Sequence, residues 1–202
     1  KTTLLKALCG LLPPYEGSVA WNGQSPSASR DEFHRSLLYI GHANGLKDDL
    51  NAIENLEWAS DIAGDRAGAD THPAVIAPEN PSVHESASNA LRESASNALR
   101  ESASNALRAL GLDPANTMPL RALSQGQKRR VALARLALSR ARLWILDEPL
   151  AALDAHAIAV IEGLMNRHLA NGGSLVLTSH QPVNLTRPPL DVQLADSNTM
   201  AL

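Results

Sequence analysis

The 202-residue chain contains one cysteine, Cys9, and only 3% aromatic residues. A single thiol cannot close an internal disulfide, so the fold must rest on its core, and a reducing, cytosolic setting fits that usage. No apolar run approaches the roughly 20 residues needed to span a bilayer, so membrane association is expected only through a partner. A basic excess is lacking too: 18 Lys and Arg stand against 21 Asp and Glu, for a net charge of -3. That balance gives no global pull toward nucleic acid or an anionic membrane, and a nucleic-acid partner is disfavoured. The chain opens on Lys1-Thr2-Thr3 without a methionine, so the lack of a visible leader peptide carries little weight.

What is present alternates between helical and strand patterns. Leu4, Leu5, Leu8, Leu11 and Leu12 recur at helical spacing, predicting a helix stopped at Pro13-Pro14, with Cys9 as quiet packing among them. "GSVAWNG" reads as a short strand closed by an Asn22-Gly23 turn, and "RSLLYIGH" as a buried strand ending in a loop. "NAIENLEWASDIAG" is helical, with Ile53, Leu56 and Ala59 on one side, and residues 65–84 read as a surface loop. "ESASNALR" then occurs three times unchanged, from Glu85 to Arg108. Eight residues overshoot two helical turns by about 80°, so Leu91, Leu99 and Leu107 cannot share a buried stripe and only one copy can pack.

Further on, "RALSQGQKRRVALARLALSRA" is a loop followed by a helix. Its basic residues Lys128, Arg129, Arg130, Arg135, Arg140 and Arg142 read as the solvated side, opposite Val131, Ala134 and Leu138. "RLWILDEP" is a buried strand that Pro149 forbids from continuing, "AIAVIEGLMNRHLANGG" is an amphipathic helix, and "SLVLTSH" is another buried strand. The expected fold is a single α/β domain over residues 1–202 with a mostly parallel sheet. A helical subdomain over about residues 51–120 would contain the 85–108 repeat.

Four stretches carry candidate chemistry. Lys1-Thr2 could end a G-x-x-x-x-G-K-[ST] loop, in which the lysine reaches phosphates and the hydroxyl binds magnesium. "LSQGQ" stands just before a helix, so Ser124 and the Gly126 N–H could present donors to an anion; Ser124 as a plain helix cap is the alternative. "LWILDEP" puts Asp147 at a strand end, suited to magnesium, and Glu148 beside it, suited to orient and deprotonate a water. "LVLTSH" sets His180 just past the next strand, positioned to contact a transferred phosphoryl group.

In this order the stretches resemble the ATP-binding cassette (ABC) ATPases, from Lys1 to about His180. "LSQGQ" is similar to that family's signature, with Gln125 where glycine is commoner, and "AALD" to its dimer-contacting loop. The resemblance implies a P-loop NTPase core, ATP and magnesium as cofactors, and nucleotide contacts from Lys1, Thr2, Thr3, Ser124, Gln125, Gly126 and Gln127. It implies Thr2 and Asp147 on magnesium, Glu148 as water orienter or base, His180 as switch histidine, and Asp154 at the contact with a second identical subunit. Two cassettes would pair head to tail, each ATP lying between Lys1, Thr2, Asp147 and Glu148 of one and Ser124 to Gly126 of the other.

Within the family, "LLYIGHANGLKDDLNAIENL", "LSQGQKRRVALARLAL", "LWILDEPLAALD" and "LTSHQP" resemble the ATPase subunits of cytochrome c maturation, the heme-exporter branch. That branch shares His42 where most cassettes have a glutamine near magnesium and the attacking water. The resemblance implies a CcmB-like permease, other heme-delivery subunits, and a peripheral position on the cytoplasmic face of a bacterial inner membrane. It also implies that N-terminal strands, an adenine-stacking aromatic and the glycine-rich loop precede the position of Lys1. The chain is therefore expected to be a fragment that binds ATP poorly. The alternatives are another ABC importer or exporter ATPase, or a soluble ABC ATPase using the basic run on nucleic acid or ribosomes, the latter separable by salt-sensitive nucleic-acid binding versus co-purification with a permease.

Overall fold

The computed structural model describes residues 1–28, 30–64 and 81–192, with the backbone alone for residues 81–88. A three-stranded parallel sheet lies at its centre, in the order β1 (Leu37–Ile40), β2 (Leu143–Asp147), β3 (Ser174–Thr178). Successive strand side chains point to opposite faces, and β2 divides its residues accordingly. Trp144 and Leu146 join Leu38 and Ile40 in the larger core, whereas Leu143 and Ile145 pack with Leu5, Cys9 and Phe33 in a smaller one. Every residue of β2 is buried, the pattern of a central parallel strand covered on both faces.

The smaller core is capped by α1 (Thr2–Leu8) and α2 (Arg30–Arg35). The larger one is built under α3 (Ala52–Ala63), α4 (Pro81–Ala109), α5 (Gln125–Leu138) and α6 (Ala155–Ala170), with a short 3-10 turn at Leu120–Ala122. Sequence-local signals start these helices. Asn51 and Glu54 form a capping box on α3, Ser124 and Gln127 form one on α5, and Asp154 caps α6. Cys9 is buried, and burial pushes its thiol pKa to about 12.

Four expectations are corrected. Helix α1 stops at Leu8, well before Pro13-Pro14, because Gly10 takes φ +69° and turns the Leu11 and Leu12 N–H groups back to the Lys6 carbonyl at 2.9 and 3.3 Å. "GSVAWNG" forms no strand; a single Trp21–Gln24 bridge closes the Asn22-Gly23 turn, whose positive φ angles of 51° and 78° suit that pair. Strand β3 is half-buried rather than buried, since β2 alone pairs with it among the described residues. Residues 81–84 open α4 instead of ending a loop, with Pro81 at the first helical position, where its absent N–H is harmless. The rest of that expected loop, 65–80, lies outside the described residues.

The repeats behave as their eight-residue period requires. Leu107 is fully buried, Leu99 half-buried and Leu91 72% exposed, so only the last copy contributes Ala103, Ala106 and Leu107 to the core. Among the described residues no helix is long and apolar enough to cross a membrane.

Candidate functional site

Parallel strands deliver their carboxyl ends to one edge of the sheet, and the candidate residues gather there. Asp147, the last residue of β2, is 3% exposed. Both its carboxylate oxygens accept hydroxyl hydrogen bonds: Thr2 Oγ1 donates to Oδ2 at 2.8 Å, and Thr178 Oγ1, at the end of β3, donates to Oδ1 at 2.7 Å. Lys1 and Thr3 are exposed at the start of α1, and the Lys1 side chain makes no capping bond.

Glu148 follows with φ +49°, a left-handed conformation that costs a side-chain-bearing residue of order 1–3 kcal/mol. Its N–H donates to Thr178, to the carbonyl at 3.2 Å and to Oγ1 at 3.0 Å, and its carbonyl accepts from Ala151 N–H. The Oε2 atom accepts the His180 N–H at 3.2 Å. Oε1 lies 3.3 Å from His180 Nε2, close enough for an ion pair but not aligned as a hydrogen bond, and is buried without another partner. A buried acceptor without an aligned donor is costly.

The "LSQGQ" stretch begins α5. Ser124 Oγ accepts the Gln127 N–H at 3.2 Å while Gln127 Oε1 accepts the Ser124 N–H at 2.9 Å. Ser124 is therefore a helix cap, and capping uses its oxygen as acceptor while leaving its own proton available to donate. Gln125 is exposed, and a Cβ placed on Gly126 would approach the Ala152 carbonyl to 3.8 Å, an ordinary contact. Asp154 caps α6 through the Ala157 N–H at 2.8 Å and accepts from Arg130 Nη2 at 2.6 Å. The Ala157 N–H is the largest cause holding its pKa below the ordinary carboxylate value; partial desolvation opposes it and the Arg130 charge adds to it. His42 is exposed just beyond β1, and no hydrogen bond joins it to Asp147, Glu148 or His180.

The sequence pattern gives two further residues at this edge no role in an ATPase site. Thr178 bridges Asp147 and Glu148; its place at the end of an apolar run facing another strand end was the only available signal. Arg129 is the clearest correction to the solvated-side reading of the basic run, being only 8% exposed. Its guanidinium donates to the carbonyls of Gly41, Asp147 and Glu148 and to Asn44 Oδ1. Burial lowers its pKa, while the Asp147 and Glu148 charges raise it. Lys128 pairs with Asp48 and Arg130 with Asp154, so the start of this run does not form a free phosphate-binding face.

The oxygen set suits magnesium. A buried carboxylate and a hydroxyl meet at Asp147 and Thr2, and no group of three or more His, Cys, Asp or Glu among the described residues could hold a metal by itself. Mg²⁺ characteristically takes one or two carboxylates together with phosphates and water rather than an all-protein cage.

The comparisons agree with this architecture. The ABC transporter family matches residues 1–151. The cytochrome c biogenesis ATP-binding export protein CcmA of Aromatoleum aromaticum is 39% identical over 97% of this chain and 78% of its own length. CcmA of Vibrio vulnificus is also 39% identical, over 97% of this chain and 81% of its own length. Among solved structures, the dimeric ATP-binding cassette MJ0796, in a post-hydrolysis state bound to ADP and Pi, superposes with a TM-score of 0.64 at 20% identity. That superposition covers 89% of this chain and 69% of the cassette. The chain belongs to the ABC transporter family of ATP-binding subunits.

Proposed function

We propose that the chain is the ATP-binding and hydrolysing subunit of a transporter serving cytochrome c biogenesis, exporting heme or releasing a heme chaperone. The observation that carries the hydrolytic part is the joint at the end of β2, where Asp147 meets the Thr2 and Thr178 hydroxyls and Glu148 meets His180. Support for the biogenesis part is the identity with CcmA relatives over nearly the whole chain.

In this reading Thr2 and Asp147 would hold Mg²⁺, which would neutralise charge on the terminal phosphates of ATP. Lys1, Thr2 and Thr3 lie toward those phosphates, and Ser124 to Gln127 contact the nucleotide of a second, identical subunit, with Asp154 at the contact between the two. Glu148 orients the attacking water and takes its proton on its carboxylate. His180, whose N–H already anchors Oε2, holds the carboxylate in place and faces the transferred group. Little covalent work is asked of the protein; positioning and charge neutralisation supply most of the rate. His42 would sense the state of the site for the membrane partner, a CcmB-like permease, placing the complex at the cytoplasmic face of the inner membrane.

The test is Glu148→Gln in the protein expressed from its natural reading frame together with its permease. Turnover should fall by at least about 10²-fold, while ATP still drives association of two cassettes. Substantial residual turnover would remove Glu148 from the role assigned to it. Wild-type protein without ATP hydrolysis would remove the enzymatic reading as a whole.

A further inference from the structure

We infer that Arg129 is a positioning residue that fixes the catalytic strand end and the His42 loop to the helix bearing "LSQGQ". The inference rests on the ATPase reading above. Arg129 lies on α5, in the turn after the Ser124 cap, and is buried at 8% exposure. One nitrogen, Nη2, donates to the carbonyls of Asp147 at 2.8 Å and Glu148 at 2.9 Å. Those carbonyls belong to the peptide units on either side of the Glu148 Cα, the residue held at φ +49°. The direction of the Glu148 side chain is set by those two peptide planes, so the guanidinium helps to hold an otherwise unfavourable backbone.

The second nitrogen, Nη1, donates to the Gly41 carbonyl at 2.9 Å and to Asn44 Oδ1 at 3.0 Å. Gly41 and Asn44 flank His42 in the loop after β1. The far end of that loop is tied independently by buried Asn55, whose Oδ1 accepts the Lys47 N–H at 2.7 Å and whose Nδ2 donates to the Lys47 carbonyl at 3.0 Å. His42 is thus bracketed by the two Arg129 contacts, and Asn55 ties the same loop further on at Lys47. A displacement of α5 is passed through one rigid fork to both Glu148 and His42. A planar guanidinium can address two sites at once; an ammonium is a compact point donor and cannot.

Arg129→Lys tests this, with Arg121→Lys as a control on an exposed residue paired to Asp49. In the protein expressed from its natural reading frame with its permease, Arg129→Lys should lower kcat by about 10- to 100-fold while KM for ATP stays within about twofold. Hydrogen exchange should become about tenfold faster or more in peptides covering residues 41–46 and 147–151, and remain unchanged in residues 131–136 of the same helix. An unchanged kcat, or unchanged exchange in either segment, overturns the inference. A fall in kcat accompanied by an equal rise in exchange throughout α5 overturns it as well, because that is general destabilisation. Exchange needs no turnover: if the wild type hydrolyses no ATP, the ATPase reading fails and the mechanical link still stands or falls on the two peptides.

Discussion

Replacing Thr178 with valine isolates one interaction at the centre of the site. The two side chains have nearly the same shape and both are β-branched, so no sizeable cavity opens and strand preference is kept. What disappears is the hydroxyl that donates to Asp147 Oδ1 at 2.7 Å and accepts the Glu148 N–H at 3.0 Å. The Glu148 N–H retains the Thr178 carbonyl at 3.2 Å, so its loss is partial. Asp147, at 3% exposure, keeps only the Thr2 hydroxyl on its other oxygen. Removing a hydrogen bond to a charged, buried acceptor costs about 1.5–3 kcal/mol. For a chain of this size each kcal/mol moves Tm by about 2–4 °C, so Tm should fall by about 3–12 °C. Thr178→Ser keeps the hydroxyl and removes one methyl, worth about 0.8 kcal/mol, and should fall less. Thermal unfolding followed by circular dichroism reads both. A Tm for Thr178→Val within a degree of wild type, or a serine variant as unstable as the valine one, would refute the assignment.

Two further outcomes are expected. Deleting residues 85–100, the first two repeat copies, should leave the fold intact and Tm within about 4 °C, because the last copy supplies the buried Ala103, Ala106 and Leu107. The ion pair lost with Arg100, to Glu57, has an exposed guanidinium and a half-buried carboxylate and is worth about 0–1 kcal/mol; a much larger fall in Tm would contradict this. Gly173→Ala should destabilise by about 1–3 kcal/mol, combining loss of an aromatic stack with loss of a hydrogen bond. A Cβ there would stand 2.2 Å from the His168 ring, which is stacked on Trp144 at 3.9 Å and contacts the Ser174 carbonyl at 3.1 Å. In a His168→Ala background the same change should be nearly neutral, and urea titration of the four proteins checks it. Burial lowers the His168 pKa from 6.5, so the folded state prefers the neutral ring. The associated stability is present above pH 6.5 and declines as pH falls below it, and His168→Phe should lose that dependence.

Much of this architecture is legible in the sequence where one residue's local chemistry decides the outcome. Pro149 ends β2 just after Asp147 and Glu148, and the apolar run before it has room only for a buried strand. Ser124 is recognisable as a cap before a helical run, and it caps the helix that follows it. The octapeptide period alone shows that its three leucines diverge, and their exposure follows. Legibility ends where two signals compete. Gly10 and Pro13-Pro14 could both stop α1, and the glycine acts first because a left-handed residue lets the final carbonyls be satisfied at once. In "GSVAWNG" the turn chemistry is strong, but two short flanks without a partner strand gain too little to form a ladder.

The site itself divides the same way. Asp147, Glu148 and His180 announce themselves by chemical type and by position at strand ends, and the parallel sheet brings them to one edge with Thr2. Arg129 and Thr178 do not, because their work is directed at backbone carbonyls, a backbone N–H and a carboxylate that any fold contains. A basic residue next to Lys128 and Arg130 on an amphipathic helix is expected in water. It enters the protein only because the carbonyls at the ends of β1 and β2 have no further strand residues to satisfy them. A guanidinium supplies enough donors in one plane to meet carbonyls from both strand ends, which is why the buried position carries Arg129 and its neighbours carry surface pairs. The demand for that residue is created by the sheet's edge, and it becomes visible only once the two strand ends have been brought side by side.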